Sequence, residues 1–268
     1  MFSLFNPLVT VNTYIYDKIL AIRAEKGAGF IVLIDPDALP PEKMPQFLQD
    51  CEAAGTDALF LGGSLMHVPW VDRYVQMLKQ HTTLPIIGFP GSLTQISGHL
   101  DAMLYLSVIS GRNPDYLFGQ HVYAAPILRK LGLEAISTGY MLIESGALTS
   151  AQYMSNSMPL PRKKTNIAVA TALAAEMMGM KLLMTDAGSG ADHQVPVEMV
   201  SGITASVSIP LCVGGGIRTP KMAEARAIAG ASFIVVGNAF EDRAEPSFIA
   251  EMATATHEGG RKRLLQTV

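Results

Sequence analysis

Short apolar runs recur along the chain and alternate with longer segments of helical spacing. Such uninterrupted runs are typical of strands buried on both faces, as in parallel sheets. We predict strands at Phe30–Ile34, Ala58–Leu61, Pro85–Phe89, Ala102–Leu106, Glu134–Ser137, Lys181–Thr185, Pro210–Val213 and Phe233–Val236. Helices are predicted between several of them, at Met44–Ala54, Val71–Gln80, Asn166–Met178 and Lys221–Ala229. This alternation favours an α/β protein with a closed (β/α)₈ barrel, the TIM-barrel fold, over an open doubly wound sheet.

Length and composition agree with one such barrel. The chain has 268 residues, of which 49% are hydrophobic and 16% charged, which argues against disorder. We therefore predict a single domain over residues 1–268. It comprises a helical lead-in (1–29), the barrel (30–241) and a C-terminal helix and tail (242–268).

Charge and segment types indicate the setting and the partners. A net charge of −3 leaves no basic footprint, so nucleic acid is not an expected partner. The first residues do not resemble a signal peptide, and no run of about 18 uncharged apolar residues occurs. We expect a cytoplasmic protein with at most peripheral membrane contact. Cys51 and Cys212 lie in apolar surroundings, which favours buried thiols over a disulfide or a metal-ligand pair.

Two connections depart from the regular rhythm. Ser110–Lys130 contains two glycines and two prolines, so one regular helix is not expected there. Tyr140–Thr165 is long and ends in the basic cluster Arg162–Lys164. Long connections in a compact domain are usually lids or binding elements, and both follow strands, which places them on the catalytic face. The basic cluster is either a solvated patch or a contact for pyrophosphate.

Glycine-rich turns near the C-terminal end predict a phosphate site. Val213–Arg218 and Val235–Asn238 each follow a strand directly. Glycine lets the backbone approach a ligand closely, and a helix starting behind the turn directs N–H groups and its positive dipole end at an anion. The segment Asp186–Gly190 adds two more glycines and a serine hydroxyl beside them. The carboxylate of Asp186 is the candidate acceptor for a substrate proton or hydrogen bond.

Oxygen ligands follow the first two predicted strands. Asp35 and Asp37 flank a proline after the first strand, and Gly62-Gly63-Ser64 follows the second. Carboxylate and hydroxyl oxygens suit Mg²⁺, especially when a substrate phosphate adds further oxygens. A turn or a helix cap is the alternative interpretation. The histidines lack metal-ligand spacing, although His121 lies in an irregular connection where it could contact a ligand.

These motifs, in this order, resemble the geranylgeranylglyceryl phosphate synthase family, which includes the bacterial heptaprenylglyceryl phosphate synthases. The resemblance extends from about Phe30 to Glu241. Further motifs that carry it are Phe89–Ser92, Ser110–Pro114, Gly119–Val122, Thr138–Tyr140 and Pro159–Arg162. The first two of these look like the branch often called group II.

The resemblance implies a Mg²⁺-dependent prenyltransferase of ether-lipid and phospholipid biosynthesis. Such an enzyme joins sn-glycerol 1-phosphate to a polyprenyl diphosphate, geranylgeranyl diphosphate being the favoured donor, and releases pyrophosphate. Asp35 and Ser64 would bind Mg²⁺, Asp186 would be the catalytic carboxylate, and the protein would form a homo-oligomer, either a dimer or a hexamer. The residues implied in substrate binding are Met184, Thr185, Asp186, Ala187, Gly188, Ser189, Gly190, Gly214, Gly215, Gly216, Gly237 and Asn238.

Three departures from the family pattern matter, at Met184, Asp186 and Ala38. The family usually has Tyr-Leu-Glu where this chain has Met184-Thr185-Asp186, and a lysine commonly replaces Ala38. Loss of a tyrosine hydroxyl and of one methylene in the carboxylate arm affects positions where small displacements are costly for rate. Two other readings therefore stay open. One is a different phosphate-binding barrel, such as a sugar-phosphate isomerase or thiamine phosphate synthase, and the other is a phosphate- or lipid-binding relic.

Overall fold

Eight parallel strands close into a barrel in the order of the chain. The computed structural model describes residues 14–69, 71–242 and 245–266. The first strand pairs with both the second and the eighth, which closes the sheet. The strands are β1 Gly29–Ile34, β2 Ala58–Leu61, β3 Ile86–Gly88, β4 Ala102–Val108, β5 Glu134–Leu142, β6 Leu182–Asp186, β7 Leu211–Gly214 and β8 Phe233–Val236. The predicted α/β class and (β/α)₈ barrel are confirmed, and the open sheet is excluded.

Helices surround the barrel. They are α1 Tyr14–Lys26, α2 Met44–Ala53, α3 Val71–Lys79, α4 Gln120–Leu131, α5 Ser150–Ser155, α6 Thr165–Met177, α7 Val197–Thr204, α8 Pro220–Ile228, α9 Ala239–Asp242 and α10 Pro246–Gln266. The four predicted helices match α2, α3, α6 and α8 to within one residue at each end. Among the described helices, none has the combination of length and apolar character that crossing a bilayer requires.

Side chains of each strand alternate between the barrel interior and the layer of helices. Phe60, Leu104 and Phe233 pack together in the interior. Helix α1 contacts this interior cluster through Ile15 and Ile19, and the backbone N–H of Ile15 donates to the Glu134 carboxylate at 2.8 Å. Helix α1 thus covers the end where the strands begin, and the groove described below lies at the opposite end.

The two cysteines are buried and unpaired, in agreement with the predicted thiols. Cys51 packs among the helices and Cys212 inside the barrel. Burial raises the pKa of the Cys51 thiol to about 12, so this thiol stays protonated and unreactive near neutral pH.

Strand β5 is longer than predicted. The prediction ended it at Ser137, but it continues to Leu142. Thr138 and Gly139 interrupt the apolar pattern; nevertheless Gly139 belongs to the strand, because it pairs with Ser107 of β4 and Leu183 of β6. Glycine is required there, because Ile109 and Met180 pack where a side chain would be. As a result Tyr140 is part of the barrel wall and not of a loop.

The segment after β4 is irregular, as predicted. A π-helical turn, Asp115–Gly119, leads into α4, which continues through Pro126. A π turn accommodates one extra residue per turn and is frequent near functional sites. In α4 the buried positions His121, Ala124 and Leu128 face the barrel.

Candidate functional site

A groove of about 760 Å³ opens at the C-terminal ends of the strands. Glycine-rich loops after β6, β7 and β8 line one part of it, and apolar side chains of β4 and α4 line another. The predicted site residues that line it are Asp35, Ser64, Met184, Asp186, Gly188, Ser189, Gly190, Gly214, Gly215, Gly216, Gly237 and Asn238. The groove therefore joins a polar, glycine-rich end to an apolar channel.

Two predicted residues, Thr185 and Ala187, do not line the groove. Both are completely or almost completely buried, and the Thr185 hydroxyl donates to the Cys212 carbonyl at 3.3 Å. The reason is the two-residue period of a strand, which points Met184 and Asp186 inward and the alternate residues outward. Only the main chain of Thr185 and Ala187 is left for a ligand contact.

The loops after β6 and β8 are joined directly. The Ser189 hydroxyl donates to Asn238 Oδ1 at 2.9 Å. Helix α9 begins at the next residue, Ala239, which also lines the groove, so its N-terminus lies at the glycine-rich end. Helix α8 begins at Pro220, with Thr219 as its N-cap, shortly after the β7 loop. Helix N-termini and glycine-rich backbone together favour a bound phosphate.

The β7 loop lies directly over Asp186. Gly215 has φ +80°, and a Cβ at this position would lie 2.4 Å from Asp186 Oδ1. Any side chain would therefore clash with the carboxylate as well as strain the backbone. Glycine at 215 keeps the carboxylate and the loop in contact.

Asp186 is buried and held from two sides. The Tyr140 hydroxyl donates to its Oδ2 at 2.6 Å, and the Gly188 backbone N–H donates to its Oδ1 at 2.7 Å. Burial raises the pKa of Asp186, while the Tyr140 and Gly188 hydrogen bonds oppose that rise. Burial and the neighbouring carboxylate raise the pKa of Tyr140 well above its usual value, so Tyr140 remains a donor. Each carboxylate oxygen retains a lone pair for a substrate group.

Asp35 lies at the edge of the groove beside the β2 loop. Its carboxylate borders Gly63, and its Oδ1 accepts from the Asp37 backbone N–H at 2.9 Å. Partial burial raises the pKa of Asp35. Asp37 points elsewhere, because its carboxylate accepts from the backbone N–H groups of His67 and Val68 at 2.7 and 3.0 Å.

Few side chains at this edge could act as metal ligands. Among the described residues no group of three or more His, Cys, Asp or Glu side chains could hold a metal. Asp35 and the Ser64 hydroxyl offer hard oxygen ligands along the same groove. One carboxylate with few protein ligands fits Mg²⁺, which usually keeps waters and substrate phosphate oxygens as its remaining ligands.

Sequence reasoning missed Gln95 and Tyr140. The Gln95 amide oxygen accepts from the Gly91 N–H at 3.0 Å, and its amide nitrogen donates to the Gly63 carbonyl at 2.8 Å, so this buried side chain joins the β2 and β3 loops. Nothing local in the sequence marks this contact across 32 residues. Tyr140 was part of a recognised motif, and its inward phase from Ile136 in β5 was the signal that could have assigned it.

His121 lines the apolar part of the groove, where the sequence suggested a ligand contact. Its Nε2 is 3.2 Å from the Ser107 hydroxyl oxygen, and its ring packs edge-on against Tyr105. Burial lowers the pKa of His121. The imidazole is therefore neutral near pH 7 and compatible with an apolar ligand.

The fold and the groove define a (β/α)₈-barrel protein whose glycine-rich loops suit a phosphate and border a buried carboxylate and an apolar channel. Barrels of this kind hold their reacting groups in the loops at this end. The chain belongs to the PcrB family, whose model matches residues 20–256.

Relatives and solved structures of similar sequence support this assignment. The chain is 49% identical to geranylgeranylglyceryl phosphate synthase of Chitinophaga pinensis over 92% of this chain and 97% of that protein. It is 38% identical to the enzyme of the same name from Thermofilum pendens, over 94% and 97% of the two chains. The crystal structure of (S)-3-O-geranylgeranylglyceryl phosphate synthase from Thermoplasma acidophilum, in complex with its substrate sn-glycerol-1-phosphate, has a TM-score of 0.85 at 30% identity, covering 94% of this chain and 99% of that chain.

Proposed function

We propose that this protein is a prenyltransferase that forms the ether bond between sn-glycerol 1-phosphate and a polyprenyl diphosphate, with geranylgeranyl diphosphate as the favoured donor. The observation that carries the proposal is the continuity of one groove from a phosphate-binding end, past the Asp186 carboxylate, to an apolar channel. A phosphorylated polyol and a long apolar chain can therefore meet beside one proton acceptor. The relatives named above support this choice of substrates.

The acceptor is proposed to bind at the glycine-rich end. Main-chain N–H groups of the loops Gly188–Gly190 and Gly214–Gly216, together with Asn238 and the N-terminus of α9, would receive its phosphate. This placement leaves the free glycerol hydroxyl near Asp186. The substrate-binding role of the other predicted residues at this end, Met184 and Gly237, is part of the same proposal.

In the proposed reaction the glycerol oxygen bonds to C1 of the prenyl group while the bond from C1 to the diphosphate oxygen breaks. The hydroxyl proton passes to Asp186, and pyrophosphate leaves with its electron pair. Tyr140 keeps the carboxylate oriented by donating to its other oxygen. Much of the rate would come from holding the glycerol oxygen, C1 and the leaving diphosphate oxygen in line.

Asp35 and Ser64 are the proposed protein ligands of Mg²⁺. When bound, Mg²⁺ neutralises the charge that develops on the leaving pyrophosphate. Gln95 fixes the loop that carries Ser64, through its bonds to the neighbouring Gly63. Asp35 and Ser64 border the same groove as the apolar channel, so the diphosphate would lie between the channel and the acceptor.

Two hydrogen bonds hold the carboxylate of Asp186 in place, although its side chain is one methylene shorter than the glutamate usual in the family. Tyr140 and Gly188 hold both oxygens on the floor of the groove, so the carboxylate is fixed by this chain's own contacts. Asp186→Glu is expected to retain activity if the carboxylate itself is what matters. Restoring a hydroxyl by Met184→Tyr tests the other departure from the family pattern.

The test incubates purified protein and Mg²⁺ with sn-glycerol 1-phosphate or sn-glycerol 3-phosphate, and with labelled C15, C20 or C35 prenyl diphosphates. Ether product from the 1-phosphate, lost in Asp35→Ala and Asp186→Asn, supports the proposal. The absence of product with every donor, while calorimetry still detects glycerol phosphate binding, would identify a phosphate-binding relic. Product formation by Asp35→Ala at the wild-type rate would contradict its metal role. Light scattering of the same sample tests the proposed dimer or hexamer.

A further inference from the structure

Helix α4 presents apolar side chains to solvent. A surface helix normally turns its polar residues outward and its apolar residues towards the core. In α4 and the π turn before it, however, the exposed side includes Phe118, Val122 and Tyr123, which are 69%, 56% and 67% exposed. We call the exposed apolar surface the outer face of α4; it consists of two adjacent rows, Phe118-Val122-Pro126 and Tyr123-Ile127-Leu131. An apolar patch of this kind on a soluble fold usually marks an interaction surface.

The same helix forms a wall of the groove. Gln120, His121 and Ala124 line the apolar channel from the opposite side of α4. A single helix therefore separates the channel from the outer face. Helix α5 also lines the channel and carries the exposed Tyr153, and its Ser155 carbonyl accepts from the Asn113 side chain just before the π turn.

Charge around this region differs from the rest of the molecule. Residues 110–131 and 143–165 together contain six Lys or Arg and two Asp or Glu, a net charge of +4. The whole chain has −3, which leaves −7 for the remainder. Arg129 and Lys130 are exposed in the last turn of α4, and Lys163 and Lys164 are exposed near the end of the β5–α6 connection. The outer face of α4 is thus apolar and carries exposed basic side chains, Arg129 and Lys130, at the end of the helix away from the groove.

We propose that the outer face of α4 docks on an anionic phospholipid bilayer, from which the channel receives its apolar donor. This inference rests on the proposed function in one respect, namely that the donor is a polyprenyl diphosphate and therefore partitions into membranes. Aromatic side chains suit the depth of the lipid headgroups, and the long basic side chains reach the anionic groups. A second copy of the chain is a poorer partner, because a two-fold contact would bring two helices together that each carry net positive charge: residues 110–131 contain three Lys or Arg and one Asp.

The experiment measures sedimentation of the purified full chain with vesicles of equal parts phosphatidylglycerol and phosphatidylcholine, without substrate. The wild type is expected to bind these vesicles and to bind pure phosphatidylcholine vesicles much more weakly. The double variant Tyr123→Asp, Ile127→Asp should bind at least about tenfold more weakly, because both substitutions place negative charge against the headgroups. Both side chains are exposed, so thermal melting should show an intact fold.

Leu265→Asp is the matched control. Leu265 is 79% exposed on α10, and Arg263 just before it bonds to the carbonyls of Gly27 and Ala231 at the end where the strands begin. This variant adds charge on an exposed apolar residue away from the groove, and its vesicle binding should equal that of the wild type.

Three results would overturn the inference. The first is that the wild type does not sediment with anionic vesicles. The second is that the control variant loses as much vesicle binding as the double variant. The third is that the double variant changes the molar mass measured by light scattering but leaves vesicle binding unchanged. The last result would assign the face to a contact between copies of the chain. Ether formation with detergent-dispersed donor is scored separately, so loss of membrane docking and failure of the proposed function give different outcomes.

Discussion

Replacing Tyr140 by phenylalanine tests how this protein holds its buried carboxylate. The substitution removes only the hydroxyl that donates to Asp186 Oδ2 at 2.6 Å. The ring is kept, together with its edge-on contact to Phe89, whose centroid is 5.8 Å away. The change is therefore confined to one hydrogen bond.

The expected loss of stability follows from the charge and burial of this bond. A hydrogen bond to a charged group contributes about 1.5–3 kcal/mol, so we expect the free energy of unfolding to fall by roughly 2 kcal/mol. At about 2–4 °C per kcal/mol for a chain of this size, the melting temperature should fall by roughly 4–8 °C. Calorimetry or fluorescence melting measures this loss.

The pH dependence of activity provides the more specific readout. Burial raises the pKa of Asp186, and Tyr140 opposes that rise. Without the hydroxyl the pKa of Asp186 rises further. Since a proton acceptor must be ionised, activity is lost as pH falls through this pKa, and in Tyr140→Phe the loss begins at higher pH. The assay is kcat/KM for sn-glycerol 1-phosphate as a function of pH.

Tyr105→Phe is the matched control. The Tyr105 hydroxyl also donates inside the groove, at 2.7 Å, but to the backbone carbonyl of His121 and not to a carboxylate. This variant should lose stability while its acidic limb stays where it is in the wild type. If both variants shift the acidic limb equally, or if neither does, Tyr140 does not control the charge of Asp186.

Three further predictions concern other parts of the structure. Gly215→Ala should weaken binding of sn-glycerol 1-phosphate by roughly tenfold or more in calorimetry, because the backbone is strained and a Cβ would meet Asp186. The control Gly190→Ala has a similar φ but open space, and an equal loss there would show that backbone strain alone is responsible. Gln95→Met should raise the Mg²⁺ concentration needed for half-maximal rate while leaving acceptor affinity unchanged, and unchanged Mg²⁺ dependence would contradict the role of this side chain. Burial raises the pKa of Asp57, but hydrogen bonds from a histidine, a lysine and a backbone N–H outweigh it and leave the pKa lowered. The stabilisation by ionised Asp57 is therefore present above the pKa of the unfolded chain and is lost as pH falls through the pKa of the folded protein. Asp57→Asn should lower the free energy of unfolding in urea by about 3 kcal/mol at neutral pH, and this difference from the wild type should shrink in acid.

The barrel was predictable because short-range patterns of apolar residues determine its strands and helices. Apolar runs mark strands buried on both faces, and the helices between them follow their own period. The end of β5 was not predictable in this way. A threonine and a glycine at 138–139 resemble a strand end, but the strand continues because Gly139 pairs with Ser107 of β4 and Leu183 of β6, a long-range pairing that local sequence does not reveal.

The candidate site was predictable in its main-chain parts and less so in its side-chain contacts. Glycine loops after strands are visible in a sequence, and those at 188–190 and 214–216 do line the groove. The bond between Tyr140 and Asp186 spans 46 residues, and nothing short-range encodes it. The side chain of Thr185 points outward because side chains alternate along a strand. Assigning every residue of the motif to substrate binding ignored this alternation.

The two ends of the groove come from different arcs of the barrel. The loops after β6, β7 and β8 form the glycine-rich end, whereas β4 and α4 form the apolar channel. Mutation in one arc can therefore accumulate with little effect on the other during evolution. Recognition of the acceptor and the length of the donor are separable traits in such a molecule. Relatives that diverge in donor length should differ within residues 103–124 and retain the loops proposed to bind phosphate.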